Sequence, residues 1–165
     1  MKRTIRYGTF ETNSSSMHSL VYSNIKMDKS DLPVTSDGVV YVWLEQEYYC
    51  HGTLTTQLEK LEYLLSYLFV KDGWGHSSDF YRTSDNWYNF DITNSYMGRE
   101  LLELLQLHDS RIKKVIVRWC CDGPEFDHQS HPVYDDNPMD EIVYDKDRTL
   151  EYLFSPNVSL EMSRD

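Results

Sequence analysis

The sequence predicts a single α+β domain over residues 1–165, with a mixed or antiparallel sheet of about five strands, two main helices and long loops. Three observations lead there. The chain has 165 residues, a length that one domain fills and two would strain. Hydrophobic residues make up 40% and aromatic residues 14%, enough apolar mass to build a core. Strand and helix patterns then follow one another without the regular alternation of a doubly wound parallel sheet.

The elements read in order from the N-terminus. Residues 3–10 alternate as a strand, with Ile5, Tyr7 and Thr9 on one face. A polar, serine-rich break follows, and residues 18–22 give a second short strand. Residues 23–37, with Pro33 among them and Gly38 just beyond, read as a loop. Residues 39–44 form an apolar run suited to a central buried strand. Residues 55–71 predict the first helix, because Leu58, Leu61, Leu65 and Leu68 keep helical spacing. Thr56 and Glu59 fit a capping box, and Gly73 stands where the helix should close.

Residues 73–90 hold Trp74, Phe80, Tyr81, Trp87 and Tyr88. That is too long for a plain connector and too aromatic for a tether, so a folded segment is expected, with Trp74, Trp87 and Tyr88 as candidate binding residues. A second helix is predicted over residues 95–107, with Asn94 as its cap. Residues 112–119 carry β-branched residues for a strand, with Lys113, Lys114 and Arg118 keeping it from complete burial. A short strand is expected at 142–144, a short helix capped by Asp147 through Phe154, and a closing edge strand at 158–162.

The net charge is −11. Phosphate backbones are repelled by such a chain, so direct nucleic-acid binding is not expected and basic proteins are the better partners. Cys50, Cys120 and Cys121 form no disulfide framework, and no apolar run suits a signal or a membrane span. A reducing cytoplasmic setting and no membrane contact are the expectations. Cofactor and oligomeric state are left open by the sequence, and no metal motif is found.

Two polar segments carry candidate chemistry. The first is FETNSSSMHS at residues 10–19. Its hydroxyls and turn amides suit an anion, and a serine beside a histidine suits nucleophilic chemistry. The second runs from Asp122 to His131 and joins Asp127 to His128, a carboxylate–imidazole pair suited to proton transfer or metal binding. An ordinary Ser/Asn turn and a solvated polar loop are the simpler readings of the two.

Together the motifs FETNSSSxHS and DHQS, here residues 10–19 and 127–130, resemble a group of small uncharacterised proteins of bacteriophages and Firmicute mobile elements. The resemblance implies such a setting and a pairing of the two loops. Ser14, Ser16, His18, Asp127 and His128 would then be candidate catalytic residues, with Glu11, Asn13 and Ser15 as binding residues. A structural role is the alternative, in which the two loops lock the fold together through a polar network.

Residues 122–147 hold nine acidic residues against the single basic Lys146. Tyr134, Asp135, Asp136, Asp140 and Glu141 are its candidate binding residues, because carboxylates interleaved with aromatics suit a basic protein surface. These features favour a phage-type acidic accessory protein that binds and inhibits a host nucleic-acid-handling or defence protein. An enzyme or ligand-binding protein built on the two motif loops is the alternative.

Overall fold

The computed structural model describes residues 16–22, 31–44, 47–48, 52–74, 81–82, 87–120, 124–126 and 137–164. The expected strand at residues 3–10 lies outside them. Within them the chain is an α+β domain whose sheets and helices share one hydrophobic core.

The strands in chain order are β1 (Ser16–Tyr22), β2 (Val39–Trp43), β3 (Glu47–Tyr48), β4 (Gly52–Leu54), β5 (Tyr81–Arg82), β6 (Tyr88–Asp91), β7 (Lys114–Trp119), β8 (Glu125–Phe126) and β9 (Val158–Arg164). The helices are α1 (Gln57–Lys71), α2 (Tyr96–His108) and α3 (Lys146–Phe154).

A four-stranded sheet has the order β2-β7-β6-β5. Its β2–β7 pair is parallel and the other two pairs are antiparallel. A three-stranded antiparallel sheet has the order β1-β9-β4, and β3 pairs with β8 in a short parallel ladder.

α1 is the central packing element. Its buried stripe includes Leu61, Leu64, Leu65, Leu68 and Phe69, and Phe69 meets Trp119 of β7 edge to face with ring centroids 4.8 Å apart. The expected capping box is present. The Thr56 hydroxyl accepts from the Glu59 amide at 3.2 Å, and the Glu59 carboxylate accepts from the Thr56 amide at 2.9 Å. Burial raises the Glu59 pKa, but the amide bonds outweigh it and hold the carboxyl below its ordinary range. Gly73 follows at φ +66, the left-handed conformation that closes helices and suits glycine.

Several boundaries differ from the sequence reading. Asn94 ends a 3₁₀ turn (Ile92–Asn94), and Ser95 caps α2 by accepting from the Gly98 amide at 2.8 Å. Gly98 is required there, since a Cβ would stand 1.9 Å from the Ile92 carbonyl oxygen. The expected strand at 142–144 is instead the turn that follows a 3₁₀ helix (Pro138–Glu141), which Asn137 caps by accepting from the Met139 amide. Asp145, not Asp147, caps α3, accepting from the Asp147 and Arg148 amides at 3.0 and 3.1 Å. β9 is not an edge but the middle strand of its sheet, paired on both sides. β2 is not central: among the described strands it forms an edge of the four-stranded sheet, and from Val40 to Trp43 its side chains alternate between buried and exposed.

Lys60 was not anticipated in the core. It is 1% exposed, and its ammonium donates to the carbonyls of Ser155 and Val158 at 3.2 and 3.1 Å. The cation thus adds a donor to two backbone acceptors where α3 ends and β9 begins. Burial lowers its pKa to about 8.

Candidate functional site

The four-stranded sheet has two unlike faces. Val40, Val42, Val115, Val117, Phe90 and Trp119 point into the core. Paired residues in neighbouring strands share a face, so the register Trp43↔Arg118↔Asn89↔Tyr81 runs across the opposite side. Tyr41 shares that side by alternation. Tyr41 is 36% exposed, Trp43 41% and Tyr81 52%, all large for a folded surface.

Arg118 organises this outer face. Its guanidinium lies over the Tyr41 ring at 4.3 Å and the Trp43 ring at 5.2 Å. Its Nε donates to the Asn89 side-chain oxygen at 2.8 Å. Asn89 is fully buried, and its amide nitrogen donates to the Trp87 carbonyl at 3.4 Å, which fixes the oxygen end toward Arg118. Trp87 meets Trp43 edge to face with centroids 4.6 Å apart. Beside them Lys114 and Asp91 pair at 2.8 Å. Burial pulls the Asp91 carboxyl up, but bonds from Lys114 and Thr93 outweigh it and hold it below its ordinary range.

Such an arrangement presents exposed aromatic surface beside a cation held by a side-chain hydrogen bond. Tyrosine, tryptophan and arginine are the residues that most often anchor protein interfaces, because each offers large contact area with a polar handle.

Of the sequence-predicted binding residues, Trp87 belongs to this face. Tyr88 points the other way and stacks on Trp119 at 5.6 Å. Trp74 is a correction: it is 2% exposed and stacks on Phe90 at 5.0 Å, so its ring belongs to the core. Tyr41, Trp43 and Arg118 were missed. The signal was present in the strict alternation of Val40, Tyr41, Val42 and Trp43, which marks one buried and one open face.

The acidic segment is partly committed within the chain. Asp140 accepts from the Tyr67 hydroxyl and pairs with Lys71 at 3.0 Å. Burial and the Asp140 carboxylate push the Tyr67 phenol well above its ordinary pKa. Glu141 pairs with Arg148 at 2.8 Å, and Lys146 with Glu100 at 3.0 Å. Tyr134, Asp135 and Asp136 lie outside the described residues.

Of the two motif loops, Glu11, Asn13, Ser14, Ser15, Asp127 and His128 also lie outside them. Ser16 and His18 fall in β1, opposite Arg164 and Met162 of β9. Among the described residues no three His, Cys, Asp or Glu side chains gather as a metal set, and no helix is long and apolar enough to cross a membrane.

A separate cavity of about 170 Å³ lies between α1, α2 and the start of α3. Leu64, Leu68, Met97, Leu101 and Val143 line it, and Tyr96 and Tyr144 flank it. No family model, curated protein or solved structure matches this chain.

Proposed function

We propose that this protein is a binding module, an accessory protein that docks onto a basic host protein and blocks it. The observation that carries the reading is the exposed Tyr41 and Trp43 pair around Arg118, set on strands of a sheet, with the half-buried Trp87 packed edge to face on Trp43. Exposed tryptophan and tyrosine rings are costly on a free surface and productive at an interface. The net charge of −11 supports a basic partner, by steering it on approach and by repelling nucleic acid. The phage or mobile-element setting implied by the two motifs makes a host nucleic-acid-handling or defence protein the natural target.

The test compares the wild-type protein with the Tyr41→Ala/Trp43→Ala double variant in quantitative capture from a Firmicute lysate. Capture is run at low salt and at about 0.5 M salt, where screening acts within a few ångströms. A specific host protein retained by wild type, lost from the double variant and weakened by salt is the expected result. The same proteins retained equally by both would remove the outer face from the argument.

A further inference from the structure

Arg118 carries a feature that a merely structural clamp does not need. A guanidinium offers five N–H donors in a planar fork. Here Nε is taken by Asn89, and no carboxylate among the described residues pairs with the two terminal nitrogens. The chain has 27 acidic residues against 16 lysines and arginines, so in-chain carboxylates are plentiful. The other cation of this face, Lys114, has found one in Asp91. Arg118 has instead been fixed from behind by the fully buried Asn89 and flanked by two aromatic rings.

We propose that Arg118 receives a carboxylate of the docked protein partner, one flanked by an aromatic or aliphatic side chain that lies on Tyr41 and Trp43. This rests on the docking reading above and names the group that is recognised. The fork matches a carboxylate in a planar, two-point arrangement. Holding it in advance means little freedom is lost on binding. A carboxylate rather than a phosphate follows from the charge of the whole chain. At −11 the surrounding potential opposes a dianion about twice as strongly as a monoanion. The division of labour is then clear: the partner's overall basic charge supplies attraction, and one carboxylate supplies register.

The test uses three small probes on the intact protein: N-acetyl-phenylalanine, its neutral amide and phenyl phosphate. Binding is read from tryptophan fluorescence and from the NMR signal of the Arg118 Nε–H. The carboxylate should bind saturably and about tenfold more tightly than the amide, a difference of about 1.4 kcal/mol. That preference should vanish in Arg118→Lys, which keeps the charge and loses the fork. Asn89→Ala, a second variant that frees the fork from its support, should weaken carboxylate binding several-fold. Equal affinity for acid and amide, or an unchanged preference in Arg118→Lys, overturns the proposal. So does tighter binding of phenyl phosphate than of the carboxylate. Host-protein capture that depends on Trp43 but survives Arg118→Gln leaves the docking reading standing and removes the carboxylate.

Discussion

The two faces of the four-stranded sheet are made from alternate residues of the same strands, yet they meet different solvents. On the inner face, Val40, Val42, Val115 and Val117 are wholly buried beside Phe90 and Trp119. On the outer face, Tyr41 and Trp43 stand more than a third exposed around Arg118. Burying one such apolar side chain contributes about 1.5–3 kcal/mol, so the inner face stabilises the fold. The outer rings return little of that, because a third or more of each stays in contact with water. Cations show the same contrast. Lys60 is enclosed and spends its donors on the Ser155 and Val158 carbonyls, whereas Arg118 is half-buried and meets no carboxylate among the described residues.

Substitutions on each face can break this contrast or make it sharper. Phe90→Ala should be the most damaging, costing about 3–5 kcal/mol by leaving a cavity against Trp74. Denaturant unfolding measures it, and a loss under about 1 kcal/mol would mean that the inner face is not the core. Trp43→Ala should reverse the balance. It should cost about 1 kcal/mol or less in stability, but about 2 kcal/mol or more in partner affinity, roughly thirtyfold. A large fall in stability without a change in binding would make the outer ring structural.

The third effect concerns pH. Lys60 titrates near 8 in the folded protein against an ordinary 10.5, so between these values the unfolded chain holds more protons. Stability should therefore rise from pH 8 towards 10, by at most about 1.4 kcal/mol per pH unit. Tyr67 works in the opposite sense above pH 10, because its raised pKa keeps a proton that the unfolded chain releases. Lys60→Met should flatten the rise between pH 8 and 9.5, and an unchanged slope would show that Lys60 is not the source. The smallest effect is that of Arg118→Gln on stability, about 1–2 kcal/mol from the lost contacts with Tyr41 and Trp43 and from the buried Asn89 oxygen that loses its donor. Thermal unfolding resolves it, and a loss of several kcal/mol would mark Arg118 as a core support.

Short-range signals were legible in the residues. The Thr56–Glu59 box, the leucine spacing of α1 and the β-branched run of β7 each need only a few neighbouring positions to act. Caps slipped by one or two residues, as at Asn94 against Ser95 and Asp147 against Asp145, because adjacent polar side chains compete for the same amides. The acidic excess is likewise a property of composition, and the class of fold follows from the order of such local patterns.

What the sequence determined by itself is therefore local or summed: helix placement to within a residue or two, strand alternation, charge and an α+β class. Strand order was decided only in three dimensions. Val39–Trp43 reads as interior until β7 is seen to cover one of its edges, and β9 reads as an edge until β1 and β4 take its two sides. The physical reason is that a strand's exposure depends on partners far along the chain, which no window of residues contains. The same holds for Arg118 and Asn89, 29 positions apart, and for Lys60 and Val158, 98 apart. Each pair meets because the sheets and α1 pack around one core, and that packing buries one cation among backbone carbonyls and holds the other between aromatic rings on an outer face.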